Sequence, residues 1–152
     1  MALTNKEKML IEDNLNAEYL CIRKYEQYAS MATDSQLKQM FTDLANKERE
    51  HANTLKGMLQ GSNVTPQNIF ESYTPPNGDQ SAIQGNLGIT DAQLLEDALS
   101  TEKHVSSSYN TAVLESVDSN IRKQLQHIQK EEQEHAETLF NAMNSRGWYK
   151  VN

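Results

Sequence analysis

Hydrophobic residues recur every three or four positions through four long stretches of the chain, and this spacing places them on one face of an α-helix. Outside residues 62–90 no proline interrupts these stretches, whereas Pro66, Pro75, Pro76 and three of the six glycines fall inside that window. The pattern therefore predicts an all-α fold in which two long helical hairpins are joined by one long connection.

Capping residues predict where the helices of the first hairpin begin and end. Thr4 and Glu7 have the spacing of a capping box, so the first helix should begin after Thr4 and run to about Ala32. A tight turn near Asp34 should start the second helix. Gly61 is suited to the position that follows the end of that helix.

The second hairpin has the same signals. Thr90 and Gln93 repeat the capping-box spacing, and the third helix should end near Val117. The fourth helix should span residues 119–146, and Gly147 should stop it.

The length of 152 residues predicts a single domain, residues 1–152. Its parts would be a hairpin at 5–61, a crossover at 62–90, a hairpin at 91–146 and a C-terminal tail at 147–152. We expect the tail to fold back onto the bundle; the alternative is that Trp148 lies exposed.

The two hairpins are an internal repeat. Aligned at an offset of 84 residues, 12–59 and 96–143 share 13 identities in 48 pairs, whereas random matching would give about three. The repeated residues include a Glu-x-x-His motif, which occurs as Glu48 and His51 and again as Glu132 and His135.

Charged and polar residues interrupt the apolar stripe of every helix near its middle. Helices two and four carry the Glu-x-x-His motifs there, and helices one and three carry Glu18 and Glu102. Tyr25 and Tyr109 follow these two glutamates by two helical turns. They are candidate hydrogen-bond donors to the carboxylates; the alternative is that they are ordinary core tyrosines.

Counting residues places the interruptions of one hairpin at the same depth. Glu18 lies 16 residues before Asp34, and Glu48 and His51 lie 14 and 17 residues after it. At about 1.5 Å per residue these side chains share one level of an antiparallel hairpin. The second hairpin gives the same counts about Asp118. If the hairpins pack together, four glutamates and two histidines converge in the middle of the bundle.

Such a buried cluster needs counter-charge, because each unpaired carboxylate would cost several kcal/mol or take up a proton. Two divalent cations would neutralise the four carboxylates and give both imidazoles a partner. Ligation rich in oxygen with one histidine per ion suits iron or manganese better than structural zinc. The alternatives are a degenerate metal site, or that the stripes are misplaced and these residues lie on the surface of the helices. The predicted ligands are Glu18, Glu48, His51, Glu102, Glu132 and His135, whereas Glu50, Glu131 and Glu134 lie off the stripes and should be in solvent.

Charge and composition exclude several classes of function. The net charge is −7 and the pI is near 5.1, and no basic stripe is present, so neither nucleic acid nor an anionic membrane is expected as a partner. Cys21 is the one cysteine, so no intrachain disulfide can form. No apolar run suggests a signal peptide or a membrane span, which predicts synthesis in the cytoplasm.

The order of the predicted ligands resembles that of the ferritin-like di-metal carboxylate proteins, a group that includes rubrerythrins and manganese catalases. The resemblance implies a ferritin-like four-helix bundle. In it Glu18 and Glu102 would be terminal ligands, Glu48 and Glu132 would bridge two metals, and each histidine would bind one metal. The crossover would make helices two and three parallel. A rubredoxin-type iron site would need four cysteines, so full rubrerythrin chemistry is not expected.

The second half also resembles the spore coat protein F family of endospore-forming bacteria. The similar segments are EKHVSSSYN at 102–110, HIQKEEQEHAETLF at 127–140 and RGWY at 146–149. This resemblance implies synthesis in the cytoplasm of the mother cell and deposition on the developing spore, with other coat proteins as partners.

Two functions agree with these observations. The first is a di-iron or di-manganese protein that handles peroxide or dioxygen, for which peroxide disproportionation is favoured because it needs no external electron carrier. The second is a structural spore-coat component whose metal site is structural or vestigial. A homodimer is expected in either case.

Overall fold

The computed structural model describes residues 2–60 and 88–151. These residues form four helices, which confirms the predicted all-α fold, and each helix ends one or two residues before its predicted limit. Gly61 and most of the predicted crossover, 62–90, lie outside the described residues. The helices are α1 (Asn5–Met31), α2 (Ser35–Leu59), α3 (Asp91–Glu115) and α4 (Ser119–Ser145).

Both predicted capping boxes are present and start α1 and α3. The hydroxyls of Thr4 and Thr90 each accept the backbone N–H of the residue three positions later. Asp34 and Asp118 cap α2 and α4 in a different way, because each carboxylate accepts the N–H groups two and three residues later. A side chain therefore accepts one or two of the free N–H groups at the start of each of the four described helices.

A buried carboxylate at the start of α1 joins the two hairpins. Glu7 accepts the backbone N–H groups of Val117 and Asp118, at 2.7 and 3.1 Å, while it also serves the cap of its own helix. The side chain is only 3% exposed. The start of α1 therefore lies against the turn between α3 and α4.

The repeat reproduces this contact in reverse. Asp91 stands 84 residues after Glu7 and accepts the backbone N–H groups of Thr33 and Asp34, at 2.9 and 3.0 Å. The start of α3 thus lies against the turn between α1 and α2, which makes α1 and α3 antiparallel. Because each hairpin is itself antiparallel, α2 and α3 run parallel, as predicted.

The helices pack unequally around the core. Each hairpin packs along its length and α1 lies against α3, whereas the backbones of α2 and α4 are farther apart and are bridged by side chains such as His51 and Glu131. The centre of the bundle is therefore best reached from the side where α2 faces α4. Within the described residues, no helix has an apolar stretch that could cross a membrane.

The C-terminal tail folds back in part. Gly147 adopts a positive φ of 71° and ends α4, as predicted. Tyr149 packs edge-on against Phe140 with ring centroids 4.9 Å apart. Trp148 remains 41% exposed with the guanidinium of Arg146 above its ring.

Candidate metal centre

The structure brings all six predicted ligands together at the centre of the bundle. The four carboxylate side chains are wholly buried, His51 is 2% exposed and His135 is 6% exposed. They form two overlapping groups of four, and within each group one donor atom per residue lies within 4.8 Å of the others. The groups are Glu18, Glu48, His51 and Glu132, and Glu48, Glu102, Glu132 and His135.

Two of the glutamates belong to both groups. The two oxygens of Glu48 lie 3.1 Å from Nδ1 of His51 and 2.9 Å from Nδ1 of His135. The oxygens of Glu132 lie 3.0 and 3.3 Å from the same two nitrogens. Each of these carboxylates therefore offers one oxygen to each half of the cluster, the geometry of a bridging ligand.

The other two glutamates each face one histidine. An oxygen of Glu18 lies 3.6 Å from Nδ1 of His51, and an oxygen of Glu102 lies 3.7 Å from Nδ1 of His135. The two imidazole rings are nearly parallel, with centroids 5.6 Å apart. The cluster thus has two halves, each with one carboxylate and one imidazole of its own, and two shared carboxylates between them.

Three carboxylate oxygens in this cluster have no hydrogen-bond partner among the described residues. They are the Oε2 atoms of Glu18, Glu102 and Glu132. A buried acceptor without a partner costs about 1–3 kcal/mol, and more when it is charged. A cation would supply the missing partner for each oxygen. The donor set of four carboxylates and two imidazoles fits iron or manganese.

The protein alone balances the charge of the cluster with protons. Burial, together with the nearby carboxylates, raises the pKa of Glu18 well above its usual value. Burial raises that of Glu102 to about 9. Burial acts in the same direction on Glu48 and Glu132, but hydrogen bonds from neighbouring side chains outweigh it and lower their pKa values.

The pKa values of the two histidines also depend on burial and on hydrogen bonds within the cluster. Burial opposes their charge, but hydrogen bonds to the carboxylates outweigh it and raise the pKa of His135 to about 12 and that of His51 further still. These shifts favour protons on the two histidines, Glu18 and Glu102, and favour the carboxylate form of Glu48 and Glu132. Divalent cations would take the place of these protons.

Tyr25 and Tyr109 bind the carboxylates of the opposite hairpin. The hydroxyl of Tyr25 donates to Glu102, and the hydroxyl of Tyr109 donates to Glu18. Both rings are buried. Burial and the adjacent carboxylates raise the pKa of both phenols, so they remain protonated donors. Each phenol therefore fixes one of the two unshared carboxylates.

Glu131 corrects the sequence analysis, which expected this side chain in solvent. Its Oε2 lies 2.6 Å from Nε2 of His51, and the side chain is only 19% exposed. Sequence reasoning took one helix at a time, and Glu131 reaches His51 across the interface between α4 and α2. Its position directly before the stripe residue Glu132 is the only signal that the sequence offers. Glu50 is exposed, as expected.

A cavity of about 420 Å³ opens between α2 and α4 at the edge of the cluster. Its lining includes His135, Glu131, Lys47, Met40 and Leu44. The side of the cluster that contains His135 is therefore the side nearest to solvent.

Comparison with known protein families adds one match. Residues 90–152 match the model of the Coat F domain, which spans α3, α4 and the tail. No curated protein sequence matches the chain.

Solved structures resemble the whole chain. A candidate spore coat protein from Bacillus halodurans has a TM-score of 0.84 at 12% identity, with 100% of this chain and 94% of that chain covered. A candidate ferritin-like diiron-carboxylate protein from Thermotoga maritima has a TM-score of 0.72 at 22% identity, covering 97% and 99%. KatB, a manganese catalase from Anabaena, has a TM-score of 0.73 at 19% identity, covering 100% and 80%.

These likenesses show that the fold is ferritin-like. The chain also spans 40% of the length of a two-domain protein from Anabaena variabilis, which contains a ferritin-like domain.

Proposed function

We propose that this chain is a spore-coat protein that holds two divalent iron or manganese ions, because residues 90–152 match the Coat F domain and the fold is ferritin-like. In this proposal Glu48 and Glu132 bridge the ions, and Glu18 with His51, and Glu102 with His135, complete one position each. The structural likenesses give the fold alone, so the proposal depends on this chain's own side chains.

One observation carries the proposal. The four glutamates and two histidines form two groups of four whose donor atoms lie within 4.8 Å of one another, and both imidazoles direct Nδ1 toward the same small space. A cluster that existed only for stability would not be expected to gather four wholly buried carboxyl groups in this way, because apolar side chains of similar volume would serve as well or better. Cations of charge +2 would bind these donor atoms and neutralise the four carboxylates together.

Two such ions would supply a two-electron couple, enough to reduce one hydrogen peroxide to two waters and to oxidise the next to dioxygen and two protons. The protein's own part is to hold the ligands and limit access. Tyr109 and Tyr25 fix the unshared carboxylates, and all four carboxylates are wholly buried. We therefore propose peroxide or dioxygen as the substrate.

Metal content tests the proposal. Protein purified without chelators should contain close to two iron or manganese ions per chain by elemental mass spectrometry. His51→Ala should lose most of one or both ions. His104→Ala is the matched control, because His104 is an exposed histidine on α3. Metal content far below one ion per chain, or equal content in all three proteins, would overturn the proposal.

Peroxide consumption tests the reaction. Metal-loaded protein should release one dioxygen for every two peroxides consumed, and Glu48→Gln should abolish this activity. Glu50→Gln removes an exposed carboxylate from the same helix and should leave the rate unchanged. A loaded protein that binds two ions and consumes neither peroxide nor dioxygen would refute the enzymatic part and leave metal binding intact.

The Coat F match favours a second candidate function, that of a structural coat component in which the metals stabilise the folded helix bundle. In that case metal removal should lower the melting temperature, and peroxide should not be consumed. Both candidates share synthesis in the mother cell, deposition in the spore coat and assembly as a homodimer. A fluorescent fusion in sporulating cells tests the deposition, and sedimentation tests the dimer.

A further inference from the structure

The internal repeat allows the two halves of the metal centre to be compared position by position. His51 and His135 are equivalent at the offset of 84, as are Glu48 and Glu132. The same offset pairs Glu131 with Lys47. The two halves of the cluster therefore have matching ligands but opposite charges one helical turn before the histidine: Lys47 precedes His51, and Glu131 precedes His135.

This difference in charge affects Nε2 of each histidine, the nitrogen on the opposite side of the ring from the Nδ1 that faces the cluster. Nε2 of His51 lies 2.6 Å from Oε2 of Glu131. A lysine ammonium has no acceptor, so Lys47 cannot provide the equivalent contact for His135. No polar group within residues 2–60 and 88–151 hydrogen-bonds Nε2 of His135, and this histidine borders the cavity between α2 and α4.

Glu131 is itself held in place. Its other oxygen, Oε1, lies 4.0 Å from Nζ of Lys47 and 3.4 Å from Nε2 of His127. The ammonium of Lys47 also pairs with Glu50 at 2.9 Å. One oxygen of the Glu131 carboxylate thus contacts His51, and the other lies near Lys47, which lines the cavity, and near the exposed His127.

We propose that Glu131 is a positioning residue that makes the two metal positions unequal, so that the ion beside His51 is held and the ion beside His135 exchanges. This inference rests on the proposed metal binding. A carboxylate that accepts the outer N–H of a ligating histidine fixes its tautomer and ring orientation and strengthens its inner nitrogen as a donor. His51 has that support, whereas His135 lacks it and faces the cavity.

Titration of metal-free protein with Mn²⁺ in a calorimeter tests the inference. The wild type should bind two ions in two steps whose dissociation constants differ by about tenfold or more. Glu131→Gln should weaken the tighter step by about 10- to 100-fold, the usual effect of losing such a partner, and leave the weaker step unchanged. Glu134→Gln makes the same charge change one turn along α4 and should alter neither step.

A reciprocal variant adds the missing group to the other half. Lys47→Glu places a carboxylate at the position equivalent to Glu131, so the weaker step should tighten and the two constants should approach each other. Circular dichroism of each metal-free variant shows whether the bundle is intact. A general loss of folding would weaken both steps, so it cannot produce the tightening of the weaker step expected for Lys47→Glu.

Nuclear magnetic resonance with the diamagnetic ion Zn²⁺ reads the contact directly. The N–H proton at Nε2 of His51 should give a slowly exchanging, downfield imidazole signal in the loaded wild type, and Glu131→Gln should shift it and speed its exchange. Two steps with equal constants in the wild type, or equal weakening of both steps in Glu131→Gln, would overturn the inference while metal binding stands. No Mn²⁺ binding by the wild type would overturn both proposals.

Discussion

Replacing Tyr109 by phenylalanine should weaken one metal position and spare the other. The ring of Tyr109 is wholly buried, and its hydroxyl donates to Glu18 from the opposite hairpin. The other oxygen of Glu18 has no hydrogen-bond partner among the described residues, so this bond sets the orientation of the carboxylate. Phenylalanine keeps the ring and removes only that bond.

The size of the effect follows from the kind of bond that is lost. A hydrogen bond to a charged group contributes about 1.5–3 kcal/mol, whereas a bond between neutral groups contributes about 0.5–1.5 kcal/mol. With metal bound, Glu18 is a carboxylate, so its ion should bind about 10- to 100-fold more weakly. In the metal-free protein burial favours the protonated form of Glu18, and the melting temperature should fall by only about 1–6 °C.

Calorimetric titration with Mn²⁺ and thermal unfolding followed by circular dichroism measure the two effects. Tyr25→Phe is the matched comparison, because Tyr25 donates to Glu102 in the other half of the cluster and should weaken the other binding step. Tyr149→Phe alters a tyrosine of the tail and should change neither binding step. If Tyr109→Phe and Tyr25→Phe weaken the same step, or neither weakens any step, the assignment of these phenols to separate metal positions is wrong.

Three further predictions follow from the fold and its charges. Glu7→Gln should destabilise the protein by about 2–4 kcal/mol at pH 7, and chemical denaturation measures the loss. All three backbone N–H groups, those of Thr4, Val117 and Asp118, lose a charged acceptor, and the new amide NH2 group cannot accept a hydrogen bond. Burial raises the pKa of Glu7, but backbone hydrogen bonds outweigh it, and the pKa is lowered overall. The contribution of Glu7 to the free energy of unfolding is therefore fully present above the pKa of an unfolded glutamate, and it is lost as the pH falls through the lower pKa of the folded state. The difference between wild type and variant should therefore shrink below about pH 4, and a constant difference down to pH 3 would contradict this. Mn²⁺ affinity should rise at least about tenfold per pH unit between pH 6 and 8, because each ion displaces protons from groups with raised pKa values, such as Glu102. An affinity independent of pH would show that the ions do not replace protons in the cluster. Removal of the metals with a chelator should lower the melting temperature reversibly, as thermal scans before and after reloading would show; an unchanged melting temperature would contradict tight binding.

The repeated pattern of apolar and polar positions was sufficient to predict the four helices and the side chains at their centre. Both signals are local: a capping box needs only Thr4 and Glu7, and a stripe interrupted by Glu48 and His51 identifies buried polar groups on one helix. The offset of 84 then relates the two hairpins. It also pairs Glu7 with Asp91, which make equivalent contacts between the hairpins.

Contacts between the hairpins could not be predicted from the sequence in the same way. Tyr25 donates to Glu102 across the bundle, and the sequence offered no means to choose this carboxylate over Glu18. Glu131 reaches His51 because α2 and α4 face each other, a relation that depends on the packing of all four helices. The periodicity of one helix does not contain that information.

The most direct test of the central claim is the position of bound metal in a crystal of protein loaded with Mn²⁺, located by anomalous X-ray scattering. We expect two peaks between Glu48 and Glu132, one on the side of His51 and one on the side of His135. Anomalous peaks only at the molecular surface, or no peak within the bundle at saturating Mn²⁺, would contradict it.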